Sequence, residues 1–361
     1  MAGRMTRYRP RLEMVMRRAL IGISLVITCL VTSACNKPAP PPPDSGAFRA
    51  TDKFFDVKAV GKRSFLLLAY GSKLAKSDDW GATWRKIQPP TRENLTRLSF
   101  ADEKHGWGVG HDGVIFATED GGDSWKEQES GTKQTLFDVE FVNQNRGFAV
   151  GDQSSVVATV DGGRTWHVGK VEMSMIGVRE DMSLAISDPI YYGLNFIDEN
   201  TGWIVGEFGQ IRVTKDGGAT WQPQHGSLLG GGYRDIMMLP TFFAVRFRDA
   251  QHGVAVGTYG AIVSTEDGGA TWRWNQSPVS VPLYDARTLP DGNTVIVGAS
   301  GVILHGSPEK GWQAAALPSG VVTWMSAVAF DGDGHGIAVG GHGLSLTSKN
   351  FGRTWEASTN G

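Results

Sequence analysis

Five aspartates sit in near-identical surroundings along the 361-residue chain. Asp79 lies in SDDWGATW, Asp120 in TEDGGDSW, Asp161 in TVDGGRTW, Asp216 in TKDGGATW and Asp267 in TEDGGATW. A carboxylate flanked by hydroxyls and glycines can ligate calcium, act as an acid, or accept hydrogen bonds from the backbone just beyond it. The count separates these readings. A catalytic signature is needed once, whereas a string that recurs along a chain describes architecture. These aspartates are therefore assigned to turns, where the carboxylate bonds its own following backbone and the glycines permit positive φ. The closing tryptophan begins the next strand and covers an apolar edge.

Other strings suggest chemistry that their context denies. Gly108-Val109-Gly110-His111-Asp112-Gly113 spells a phosphate-binding GxGxxG, but a strand-like VIFAT follows where a helix is required. Asp331 to Gly336, DGDGHG, opens like a calcium loop, yet its twelfth position is His342 instead of a bidentate glutamate. His105, His252 and His335 recur at one register before a glycine, which points to turn roles. There is no HExxH, CxxC or nucleophile elbow. No catalytic residue, metal ligand or cofactor is assigned.

The elements that position these residues follow from the tryptophans closing each box. Two altered boxes, HGSPEKGW and SKNFGRTW, extend the five to seven, with Ser307 and Asn350 altering the pattern. The tryptophans are Trp84, Trp125, Trp166, Trp221, Trp272, Trp312 and Trp355, spaced by 41, 41, 55, 51, 40 and 43 residues. A period in the forties with short strands is one four-stranded propeller blade. Within the second repeat TRLSFAD, HGWGVG, VIFATED and SWKEQ read as successive strands. Valine, isoleucine, phenylalanine, tryptophan and threonine fill them, and glycine, aspartate and asparagine punctuate. No segment sustains a helical period. The expected fold is all-β, a seven-bladed propeller over residues 51–361.

The box resembles the Asp-box, or bacterial neuraminidase repeat. The longer pattern, as in GWGVGHDGVIFATEDGGDSW and GWIVGEFGQIRVTKDGGATW, resembles the family of the photosystem II stability and assembly factor. That resemblance implies a seven-bladed propeller without enzymatic activity, acting as an assembly or accessory factor for a membrane protein complex. The client would be photosystem II in a phototroph, and otherwise an envelope complex or transporter. Sialidases also carry Asp-boxes, so a glycoside hydrolase is the alternative. Its arginine triad, tyrosine and glutamate would be drawn from Arg234, Arg246, Arg287, Tyr233 and Glu207.

Binding residues are expected on loops. Links from strand four to the next blade share a propeller face with the links between strands two and three, away from the box turns. The 55 and 51 spacings mark two enlarged links, His167 to Gly193 and Gln222 to Thr241. They carry Met173, Met175, Tyr191, Tyr192, Tyr233, Arg234, Met237 and Met238, and the shorter links add His111, Phe208, Tyr259 and His342. Tyrosine, methionine and arginine are enriched at interfaces. Tyr191, Tyr192, Phe208, Tyr233, Arg234 and Tyr259 are the expected partner-binding residues.

Residues 1–35 read as an export signal: six arginines, then the apolar run Ala19 to Val31, then TSAC ending at Cys35. Thr32 to Cys35 resembles a bacterial lipobox, which would lipidate Cys35 and anchor the chain. Residues 36–50 form a tether in which Pro40 to Pro43 favour an extended spacer. The expected location is the periplasmic side of a membrane, the outer membrane if the lipobox is used, or the thylakoid lumen side in a phototroph. Beyond the signal, 29 basic and 36 acidic residues leave a net charge of −7, which argues against nucleic acid as a partner.

Overall fold

The computed structural model describes residues 47–88, 91–179, 187–230 and 232–358. The signal segment, Cys35 and the tether as far as residue 46 lie outside the described residues. Seven four-stranded antiparallel sheets form the propeller, each with its strands in chain order. The inner strands are Phe54–Ala59, Leu95–Phe100, Leu136–Phe141, Tyr191–Phe196, Phe242–Phe247, Leu283–Thr288 and Met325–Phe330, numbered here as blades 1 to 7. The second strand is fully buried in every blade, as in Gly106–Gly110 (GWGVG) and Gly253–Gly257 (GVAVG). Blades stack face to face, so these central strands have apolar neighbours on both sides. GxGxxG is the link from one such strand to Ile115–Thr118, a hairpin with a short 3-10 turn at His111–Gly113.

Each box is a turn clamp. In blade 3, Asp161 Oδ1 accepts from Thr165 N at 2.9 Å and Oδ2 accepts from Thr165 Oγ1 at 2.7 Å. Thr159 Oγ1 donates to Asp161 at 2.8 Å and accepts from Gly163 N at 2.9 Å. The same four bonds recur about Asp79, Asp120, Asp216 and Asp267. The seventh box departs from expectation. Asn350 replaces the aspartate but keeps the geometry, its Oδ1 accepting from Thr354 N at 3.0 Å and its Nδ2 donating to Thr354 Oγ1 at 2.9 Å. Only the sixth box has become a different turn, in which Ser307 pairs with Gly311.

The boxes hold the blade seams through their tryptophans. Trp166 meets Phe141 of its own inner strand edge to face at 5.7 Å, and Phe141 stacks on Trp107 of blade 2 at 3.4 Å. The arrangement repeats as Trp221–Phe196–Phe148 and as Trp272–Phe247–Trp203. Opposite each such phenylalanine the paired strand must be bare. A Cβ at Gly147 would collide with the Phe141 ring, as one at Gly106 would with Phe100. This close approach explains the glycine opening the GW and GF strings.

Ring closure uses no shared strand, because all four strands of every blade are consecutive in sequence. Blades 7 and 1 are instead bridged by Ser326 Oγ donating to Phe54 O at 2.8 Å, Trp80 Nε1 donating to Asp331 Oδ2 at 3.0 Å, and Gly343 N donating to Asp52 O at 2.7 Å. Trp80 stands where the other intact boxes carry glycine, and it also stacks on His335 at 4.8 Å.

The Thr165 hydroxyl and amide hold the Asp161 carboxyl down at about 2. A carboxylate titrates near ~4 in an unfolded chain, so this contribution is present above pH 4 and lost as pH falls towards 2. Asp161→Ala should lower the melting temperature at pH 7 by about 2–4 °C. Asp161→Asn should lower it less, since Asn350 reproduces the turn. The gap between wild type and the Asn variant should close between pH 4 and pH 2, as followed by thermal unfolding.

Candidate functional site: an aromatic channel mouth

The inner strands line a central channel, and each enters it with a β-bulge at its second residue. In blade 4, Tyr191 pairs with Gly206 and Gly193 with Val205, which leaves Tyr192 unpaired. A bulge re-aims its extra side chain. The seven second residues, Phe55, Thr96, Phe137, Tyr192, Phe243, Tyr284 and Ser326, thus ring the channel mouth on the link face. Four aromatics run unbroken over blades 3 to 6. Ring centroids lie 5.1 Å apart for Phe137–Tyr192, 5.3 Å for Tyr192–Phe243 and 5.7 Å for Phe243–Tyr284. They surround a cavity of about 480 Å³ that Arg97, His111 and Trp324 also line.

The third residues of the inner strands form the collar beneath. Asp56, Asp138 and Asp285 are buried, and each accepts from the backbone of the next inner strand, at Leu98 N (2.8 Å), Leu194 N (3.0 Å) and Val328 N (3.3 Å). Arg97 lies between two of them, 3.4 Å from Asp56 and 3.5 Å from Asp138. Arg97 thus offsets part of the acidic charge where the aromatic wall ends, and the mouth above is mostly apolar.

The expected partner-binding residues divide. Tyr192 lines the mouth. Tyr191 does not reach the surface: it is 0% exposed and belongs to the core between blades 3 and 4. Two adjacent tyrosines look equivalent in sequence, and the bulge sends only the second into the channel. The described parts of the two enlarged links are in contact. Ile236 N donates to Gly177 O at 3.1 Å, and His225 and Leu229 of one link meet Ile176 and Gly177 of the other. Within these links Tyr233 is half-buried and stacks on Trp274 at 4.8 Å, while Arg234 is exposed. Phe208 is half-buried against the same cluster, and Tyr259 is 81% exposed on the neighbouring link. Phe208 and Tyr259 have positive φ, but so do Asp112, Gln153, Ser300 and His342 at the matching links. The conformation is a property of the repeated turn.

The hydrolase constellation does not assemble. Arg246 and Arg287 sit near the far end of the channel, whereas Tyr233, Arg234 and Glu207 lie on the link face. Glu207 is engaged locally, accepting from Ile190 N at 3.0 Å. The recurring histidines are turn braces: His105 and His252 each lie 2.9 Å from an aspartate three residues earlier, Asp102 and Asp249. No group of three metal-ligating side chains occurs among the described residues.

Comparison with known proteins agrees with the geometry. Residues 76–134 and 125–179 match the family model for the photosynthesis system II assembly factor YCF48. Within the Asp-box propeller, residues 76–179 therefore carry repeats similar to this family's. Among solved structures, YCF48 bound to D1 peptide is 17% identical, covering 82% of this chain and 91% of that one with a TM-score of 0.63. YCF48 from Cyanidioschyzon merolae is 16% identical, covering 85% and 96% with a TM-score of 0.65. The WD40 propeller domain of Doa1 scores 0.62 at 14% identity, covering 84% and 95%. At these identities the likeness is one of fold. No curated protein matches the sequence.

The neighbouring tyrosines should behave oppositely. Tyr191→Ala should cost about 3–5 kcal/mol, the range for emptying a large aromatic site in a core. Tyr192→Ala should cost less than about 1 kcal/mol, because its ring borders open space. Chemical denaturation of both variants measures the contrast.

Proposed function

We propose that this propeller is a non-enzymatic assembly or accessory factor that holds an apolar segment of a membrane protein client in its aromatic channel mouth. One observation carries the reading. Four consecutive blades present aromatic rings around an open cavity of about 480 Å³, on the face that also bears both enlarged links. Rigid aromatic side chains give large contact area at low entropic cost and dominate binding energy where they cluster. The family repeats support the assembly role, and the propeller bound to a D1 peptide is a protein of this fold that holds a polypeptide. In a phototroph the client would be photosystem II, and elsewhere another envelope complex.

Export and anchoring belong to the same proposal. A lipid on Cys35, followed by the proline-rich tether, would hold the propeller against the membrane that contains its client. Capture would then be favoured by effective concentration.

Two outcomes test this. With the full chain as bait on membranes, the triple variant Tyr192→Ala, Phe243→Ala, Tyr284→Ala should lose client capture at least tenfold while melting within a few degrees of wild type. Undiminished capture, or hydrolysis of a sialoside reporter, would refute the reading. Cys35→Ser should move the protein from the membrane to the soluble fraction, and unchanged membrane retention would refute the anchor.

A further inference from the structure

The opposite end of the channel has different chemistry. The fifth residues of the inner strands form a ring of Lys58, Ser99, Glu140, Asn195, Arg246, Arg287 and Ala329. All but Asn195 line, with Phe100, Phe141 and Phe330 of the next layer, a separate cavity of about 280 Å³. Three cations gather over blades 5, 6 and 1, and the one small apolar member, Ala329 of blade 7, lies between Arg287 and Lys58. We propose that this gap is a binding site for an oxyanion, a carboxylate or a phosphate, held between Lys58 and Arg287 above Ala329.

The hydrogen bonds decide which cations are available. Arg246 is heavily engaged, with four of its five N–H groups bonded. Its Nε donates to Ala286 O at 3.1 Å, its Nη1 to Leu194 O and Val245 O at 3.2 and 2.7 Å, and its Nη2 to Asp285 at 3.1 Å. Arg287 donates Nε to Val328 O at 3.1 Å and has no carboxylate at ion-pair distance among the described residues. Lys58 reaches Asp56 at 3.3 Å, but that carboxylate also serves Arg97 and the Leu98 amide. Burial pushes the Lys58 amine down to about 8, with Arg287 opposing the pull of Asp56. Lys58 and Arg287 are half-buried and repel one another, Asp56 and Asp285 compensate them only in part, and an anion between them would relieve the remaining repulsion. An arginine fork and an ammonium on either side of a small residue suit a planar or tetrahedral oxyanion.

The competing carboxylate is Glu140, on blade 3. It accepts from Phe196 N at 2.9 Å and from Asn195 Nδ2 at 3.1 Å, and burial pushes its carboxyl up to about 7. The charged groups that act on it are Arg246 and Asp138. As pH falls from 8 to 6, Glu140 becomes neutral and Lys58 becomes fully charged, so both changes favour an anion in the gap. This site does not depend on the client reading, because it lies at the other end of the channel and takes a different ligand.

Titration of the full chain with acetate and, separately, with inorganic phosphate tests the site by calorimetry and thermal shift. Saturable binding of either is expected, and which one binds identifies the source chemistry. Lys58→Gln should weaken it at least tenfold. Ala329→Val, which fills the gap and leaves every charge in place, should do the same, whereas Lys58→Arg should retain it. Acetate does not titrate between pH 6 and 8, so its affinity should rise as pH falls over that range, and less steeply in Glu140→Gln. Saturation by neither anion would overturn the proposal. So would affinity unchanged in a folded Ala329→Val variant.

Discussion

One contact sets the terms for the rest of the molecule: an aspartate carboxylate accepting both the amide and the hydroxyl of the residue four positions on. It fixes the turn between the two outer strands and aims the closing tryptophan inwards. The tryptophan edge then holds a phenylalanine from the inner strand of the same blade, and that phenylalanine stacks on an aromatic of the preceding blade, as in Trp166, Phe141 and Trp107. A hydrogen-bonded turn on one face is thereby coupled to the seams that keep the inner strands in place. Asn350 indicates that the requirement is for an acceptor of the right shape in the turn, since an amide performs it without charge.

The channel follows from that frame. Seven inner strands enter it with the same bulge, so residue position along the strand sets depth. First residues are core, second residues ring the mouth, third residues stitch neighbouring strands through Asp56, Asp138 and Asp285, and fifth residues ring the far end. The two ends are consequently independent in chemistry, one apolar and aromatic, the other cationic. Channel-facing side chains also tie neighbouring inner strands together, as Ser326, Asp138 and Arg246 do, so each end of the channel contributes to blade packing as well as to its own chemistry.

Much of this was legible in the sequence. The tryptophan period gave the blade count, and the alternation around HGWGVG and VIFATED placed strands within a residue or two of where they lie. The two long spacings mark the enlarged links, whose described parts meet through Gly177 and Ile236. The mouth was not legible, because Tyr191-Tyr192 and Phe242-Phe243 are adjacent aromatics and period-two alternation does not tell which faces the channel. Only the bulge decides, and it depends on pairing with the second strand. The far end was also hidden: Lys58, Ser99, Glu140, Asn195, Arg246, Arg287 and Ala329 share a register but are of mixed residue type, so no motif repeats. The glycine before each strand-two aromatic was visible, but its reason, a phenylalanine ring lying across it, appears only in the paired strands.

The account turns on which face meets the client. Site-specific photocrosslinking decides it most directly, with a photoreactive phenylalanine analogue placed at Tyr284 in the mouth or at Glu266 on the box face of the same propeller, in membranes that contain the client. Crosslinks to a membrane protein from position 284 and none from position 266 are predicted. Crosslinks from position 266 alone would contradict the account.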